Sequence, residues 1–112
     1  MIEITALTNS PKQKFNLVID GYDVAKIYLE FKSQQEGWFL SLDWGESFSL
    51  KNERVSTSPN LLRQFKNMIP FGLLISGSDA IDPVTIDSWV QTNKMYLIEE
   101  NELDDIEALY VK

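Results

Sequence analysis

The feature that most limits how this chain can fold is a two-residue alternation of apolar and polar side chains running through its first half. Phe15, Leu17 and Ile19 alternate with Lys14, Asn16 and Asp20. Between Tyr22 and Lys32, Ala25, Ile27, Leu29 and Phe31 fall on one face and Lys26, Tyr28 and Glu30 on the other. Trp38, Leu40, Leu42 and Trp44 then alternate with Phe39, Ser41 and Asp43. Successive side chains of a strand point to opposite faces, so this period predicts half-buried β-strands. Asp20-Gly21 predicts a tight hairpin turn, because both residues tolerate the positive φ such a turn imposes. The polar stretch from Ser33 to Gly37 predicts a second hairpin. Ile2, Ile4 and Leu7 predict a short first strand stopped at Asn9-Ser10-Pro11, and Phe48 with Leu50 a further strand that runs out near Val55.

The second half reads differently. Ser58-Pro59 is a good helix start, with Ser as N-cap and Pro at the first helical position, and Leu61, Leu62, Phe65, Met68 and Ile69 recur at spacings of three and four. One short helix is therefore expected at about 59–69, ending before Pro70. Phe71 to Ile75 predicts a strand buried on both sides, and 79–89 a loop with one hydrophobic turn. Lys94 to Glu99 predicts a last strand, with Tyr96 and Ile98 facing one way and Met95 and Leu97 the other. Six of the 17 acids then fall between Glu99 and Glu107. This acidic C-terminal extension, 99–112, is either a short helix carrying Leu103, Ile106 and Leu109 or a mobile tail. No repeat or linker divides the chain, so 1–112 is read as a single domain. The expected fold is mainly β, a small antiparallel β-barrel or barrel-like sandwich of at least six strands. Trp38, Leu40 and Leu42 should share its core with Phe15, Leu17, Ile27, Leu29 and Phe65.

Composition supports one self-sufficient core: 112 residues, 44% of them hydrophobic, need no metal or disulfide staple. Ten Lys and Arg stand against 17 Asp and Glu, a net charge of -7. A sequence-unspecific nucleic-acid binder of that charge would be repelled by its own target, so no nucleic-acid binding is expected. The chain has no Cys and no His, which removes thiolate nucleophiles, Cys/His zinc sites and Ser-His-Asp triads. The N-terminus lacks the basic region and apolar run of a signal peptide, and no segment is long and apolar enough to span a membrane. A protein made in the cytoplasm, with no membrane contact, is the expectation.

Little remains from which to build an active site. Asp79, Asp82 and Asp87 lie in an oxygen-rich loop of the kind that can hold calcium, but their spacing does not follow an EF-hand, and acidic loops are common on acidic proteins. Glu30 and Asp43 fall on solvent faces rather than in a cleft, which speaks against carboxylate-pair hydrolysis. Ser76-Gly77-Ser78 lacks the framework of a phosphate loop. No catalytic residue, metal or cofactor is expected. Trp38, Trp44 and Phe48 read as core. Tyr22, Tyr28 and Phe39 lie on the opposite faces of their strands, where another chain can cover them.

The order of these features resembles the phage baseplate plug family, small proteins at the centre of contractile-tail baseplates. The likeness rests on Phe15-Asn-Leu-Val-Ile-Asp-Gly-Tyr22, Gly37-Trp-Phe-Leu-Ser-Leu42, Asn60-Leu61-Leu62, Gly72-Leu-Leu-Ile75, the Asp-containing loop, and Met95-Tyr-Leu-Ile98 followed by Glu102-Leu103. These run in family order across about residues 2–103, while 47–56 matches nothing in the pattern and the acidic end is longer than it requires. The resemblance implies a non-enzymatic virion component that docks on the baseplate hub and tail tube, in several copies around the tail axis, after a period in the host cytoplasm. For that contact Tyr22, Tyr28, Phe39, Glu99 and Glu100 are the candidates. The alternative is an OB-like binding module for a small ligand or oligosaccharide, using exposed aromatics on its sheet. A small hydrolase relying on carboxylates alone is a third.

Overall fold

A computed structural model of the chain describes residues 1–19, 21–46, 48–65 and 68–110. Its strands are Ile2–Glu3 (β1), Lys12–Leu17 (β2), Ala25–Lys32 (β3), Gly37–Trp44 (β4), Phe48–Arg54 (β5), Gly72–Gly77 (β6) and Asn93–Ile98 (β7), with short helices at Ser88–Gln91 (α1) and Leu103–Tyr110 (α2). All pairings are antiparallel and make two sheets, β2-β3-β4-β5 and β1-β7-β6. The mainly β expectation holds, and each alternating segment contains a strand, though Ile4, Leu7, Ile19 and residues 22–24 fall outside the strands. Among the described residues no helix is long and apolar enough to cross a membrane.

Three expectations need correction. The first hairpin is not closed by a two-residue turn: the β2–β3 ladder ends at the pair Leu17 and Ala25, leaving a longer connection, and Asp20 itself lies outside the described residues. Ile19 is buried within that connection, and Tyr22 N–H donates to Ile19 O at 2.9 Å. The chain turns to bury Ile19 before the next strand begins.

The second correction concerns 59–69. Its described residues form a single 3₁₀ turn, Arg63–Phe65, in place of the expected helix. Ser58 pairs with Ile75 of β6, and Leu61 N–H donates to Leu73 O at 2.7 Å. The backbone that would have started the helix is thus engaged by a strand. The buried Asn60 adds to this, its Oδ1 accepting from Leu62 N–H at 3.0 Å and Leu73 N–H at 3.1 Å. The helical spacing still served a purpose, because Leu62 and Ile69 are buried, Leu61 and Phe65 pack on the core, and only Met68 of that set is exposed.

The third correction follows from the second. Among the described residues no strand pairing joins the two sheets, so they do not close into a barrel. Residues 58–61 occupy the free edge of β6, and an edge already paired cannot accept another strand.

The inner faces meet in one core. Ala25, Ile27, Leu29, Trp38, Leu40 and Leu42 from one sheet pack with Leu73, Ile75, Met95 and Leu97 from the other. Leu17 is buried as expected, while Phe15 and Phe65 pack at its margin. Trp38 stands edge-on to Trp89 with ring centroids 6.1 Å apart, and its Nε1 donates to Thr85 O at 2.8 Å, which ties the segment before α1 onto β4.

Candidate functional site

Because β3 and β4 present one side-chain set to the core, the other set points outward over the four-stranded sheet. The register brings Lys14 opposite Tyr28, Lys26 opposite Asp43, Tyr28 opposite Ser41, and Glu30 opposite both Lys12 and Phe39. Opposite Ser41 the β4–β5 ladder carries a bulge, with Asn52 at φ 53°. A bulge lets two consecutive side chains reach one face. Here they are Lys51, 3.7 Å from Asp43, and Asn52, whose Oδ1 accepts from Lys32 Nζ at 3.5 Å.

The outcome is a segregation of charge. Lys12, Lys14, Lys26, Lys32, Lys51 and Arg54, six of the chain's ten cations, share this face with Glu30 and Asp43, and Glu46 lines the groove at one end of it, three of the 17 acids in all. Tyr28 stands at its middle, 40% exposed, where three shallow grooves of about 410, 390 and 330 Å³ meet. Phe39 is half-buried beside it. Lys32 Nζ lies 4.7 Å from the Phe39 ring centroid and the Arg54 guanidinium carbon 5.6 Å. Arg54 is also fixed by the carbonyls of Gln35 and Glu36, each 3.2 Å away. A Cβ at Gly37 would come within 2.8 Å of the guanidinium, so this glycine is what lets Arg54 lie across the end of the hairpin. Asp43 keeps its charge readily: the Ser49 hydroxyl donates to it at 2.7 Å and, with Lys51 and Lys26 nearby, holds its pKa below the ordinary carboxylate value.

The other sequence candidates gather elsewhere. Tyr22 OH donates to Glu100 Oε2 at 2.6 Å, and this hydrogen bond, with the carboxylate's charge, raises the phenol pKa above its usual value. Glu99 N–H donates to Glu102 Oε1 at 3.2 Å, while Glu102 Oε2 accepts the N-terminal ammonium of Met1. Hydrogen bonding to that ammonium is the main reason the Glu102 pKa is lowered. Of the five candidates, Tyr28 and Phe39 therefore lie on the sheet face, and Tyr22, Glu99 and Glu100 at a seam between the β2–β3 connection and the start of α2. Those last acids belong to the helical form of the C-terminal extension; Leu103 and Ile106 are half-buried there.

The aspartate loop is not gathered into a cation site. Asp82 Oδ1 accepts from Thr57 N–H at 2.8 Å and from its hydroxyl at 3.0 Å, and Asp87 accepts from Asn9 Nδ2 at 3.4 Å. Among the described residues no group of three or more Asp and Glu could hold a metal ion. The cation cluster is what sequence reasoning missed. Its signal was present in the parity of Lys12, Lys14, Lys26 and Lys32, each out of phase with the apolar set of its strand. No protein-family model matches this chain, and no curated protein matches it.

Proposed function

We propose that this chain is a non-enzymatic structural component of a phage or prophage contractile-tail baseplate, docking on the central hub and tube as a plug, its two sheets serving as the barrel-like sandwich of such a protein. The observation that carries the reading is where the segments resembling the plug family fall. Gly37 to Leu42 runs along the central strand β4, Gly72 to Ile75 forms most of β6, and Asn60 to Leu62 is stitched to β6 through the Asn60 side chain. A Cβ at Gly72 would approach Asn60 Oδ1 to 2.5 Å, so two of the family-like segments fit each other only with these residues in place. In this role the protein works in the virion baseplate, after synthesis in the host cytoplasm, through protein contacts with hub and tube and without nucleic-acid or membrane binding. Several copies surround the tail axis.

The test is co-expression with the hub and tube proteins encoded beside it. A stable complex that survives purification is expected, weakened by Tyr28→Ala and Phe39→Ala. No association with any tail component would overturn the reading. One observation favours a second: the 410 Å³ groove between Tyr28, Phe39, Ser41 and Asn52 has the mixed aromatic and polar lining of a small-ligand or oligosaccharide site. A glycan-screen hit lost in Tyr28→Ala, with no tail association, would select that module instead.

A further inference from the structure

We propose that copies of this chain associate head to tail, the acidic segment that opens α2 of one copy seating on the basic outer face of the four-stranded sheet of the next. The inference deepens the docking reading above and rests on it only for the closed ring that a tail axis requires.

Charge complementarity is the first ground. Residues 99–105 carry Glu99, Glu100, Glu102, Asp104 and Asp105 with no Lys or Arg among them. Glu102 is met by the chain's own N-terminus, but Asp104 and Asp105 are exposed. The sheet face offers the opposite excess, six cations against the three acids Glu30, Asp43 and Glu46. The overall charge of -7 does not cancel this attraction. The molecule's shortest extent is 22 Å, whereas exposed charges are screened over about 8–10 Å at ordinary salt, so each surface acts by its local sign.

The second ground is the state of the aromatic rings. A single strand of nucleic acid would need open rings on which to stack its bases. Here the Phe39 ring already carries Lys32 and Arg54, and Arg54 is anchored by two carbonyls. Cations held in place in this way suit carboxylates, and Tyr28 remains to receive an apolar side chain. The segment that opens α2 supplies both, because the half-buried Leu103 and Ile106 sit among its acids.

The third ground is placement. The Tyr22–Glu100 hydrogen bond fastens the acidic segment beside the β2–β3 connection, and none of its residues lines the Tyr28 grooves of its own copy. Two different patches of one molecule then form the contact, which makes it heterologous, and such contacts build rings when the rotation closes and filaments when it does not.

Sedimentation equilibrium of the purified full chain, with no tail component present, tests this. Association should appear at about 0.05 M salt and weaken steeply by about 0.5 M. Lys12→Glu/Lys14→Glu/Lys26→Glu and, separately, Asp104→Lys/Asp105→Lys should each weaken it about ten-fold or more, since each places like charges together. Mixing the two reversed variants should restore association, which also shows that both have folded. A chain that stays monomeric at low salt, or assembly indifferent to both reversals, would overturn the proposal. So would binding of an oligothymidine of about 20 nucleotides that is lost in the lysine variant while no self-association occurs. Because no hub protein enters the assay, its failure leaves the plug reading to its own test, and failure of that test leaves this one intact.

Discussion

Along β6 of the three-stranded sheet, neighbouring residues are buried together; in the four-stranded sheet they take turns. Leu73 and Leu74 of β6 are both buried, as are Leu97 and Ile98 of β7. On β3, by contrast, buried Ile27 and Leu29 alternate with exposed Lys26 and Tyr28. A strand covered on both faces, as β6 is from Gly72 to Ile75, is committed to holding the fold, and its side chains are chosen by packing. A sheet covered on one face has a second side-chain set that packing does not constrain, and in this chain that set carries the cations and Tyr28. The difference separates framework from open surface within about a hundred residues.

Paired truncations sharpen that contrast most strongly. Leu73→Ala and Leu74→Ala should each cost about 2–5 kcal/mol, although they point to opposite faces of one strand. On β3 the corresponding pair should split: Leu29→Ala costs about as much, while Tyr28→Ala stays near the roughly 0.5 kcal/mol of ordinary surface changes. Leu40→Ala on β4 belongs with the costly set, and against a total of roughly 5–15 kcal/mol it could leave much of the protein unfolded. Denaturant midpoints decide the matter. Equal costs at Leu29 and Tyr28 would mean that the outer face is covered and the contrast is false.

The seam that closes the three-stranded sheet should respond next. Asn60→Ala strands two buried N–H donors, of Leu62 and Leu73, at about 1–3 kcal/mol each. Gly72→Ala should also destabilise, since its new methyl would meet the Asn60 amide. The two changes should be non-additive: removing the amide makes room for the methyl, so the double variant loses less than the sum. Strict additivity would place the Gly72 strain somewhere other than Asn60.

The same contrast explains what could be read in advance. Alternation is strongest where one face is wet, so β2, β3 and β4 were legible down to the outward Tyr28 and Phe39, while the bulge at Lys51 and Asn52 hid the faces of β5. β6, lacking that contrast, was found as a short apolar run between turn residues, and β7 keeps the contrast only as far as Leu97. The segment 59–69 misled because its apolar spacing of three and four suits a 3₁₀ turn packed on a sheet as well as a helix. What decided between them is a long-range pairing, Ser58 with Ile75, which no local pattern encodes. The basic face was written in the parity of its lysines, but the charge sum required the register of four strands. The Tyr22–Glu100 contact joins residues far apart in sequence, and nothing near either one announces it.

A smaller effect is expected in the aspartate loop, between framework and surface. Asp82→Ala removes the acceptor of Thr57 N–H and hydroxyl and should cost about 0.5–1.5 kcal/mol. Addition of EDTA should leave the melting temperature unchanged. A drop of several degrees in EDTA would make the loop a cation site and return Asp79 and Asp87 to consideration.

The smallest effect separates the acidic seam from the sheets it borders, and it is read by pH. Glu102 has a lowered pKa, so its contacts with Met1 and with the Glu99 N–H are fully present above the ordinary carboxylate value of about 4.3 and fade as pH falls through the lowered one. Tyr22 has a raised pKa, so its hydrogen bond to Glu100 is intact below the ordinary phenol value of about 10 and is lost as pH rises through the raised one. The start of α2 should therefore be held across the whole range between, and loosened at either end. Amide hydrogen exchange, corrected for the intrinsic pH dependence of the chemistry, should show residues 100–106 losing protection as the pH falls below the ordinary carboxylate range while β4 amides in the same sample keep theirs. Glu102→Gln should produce the same loss of protection at neutral pH and abolish the acid response. At the alkaline end, the phenolate absorbance of Tyr22, isolated by comparison with Tyr22→Phe, should emerge later than that of an unperturbed tyrosine. If the seam and β4 lose protection together on acidification, the acidic segment is part of the framework rather than a surface attached to it, and its availability to a second copy falls with that result.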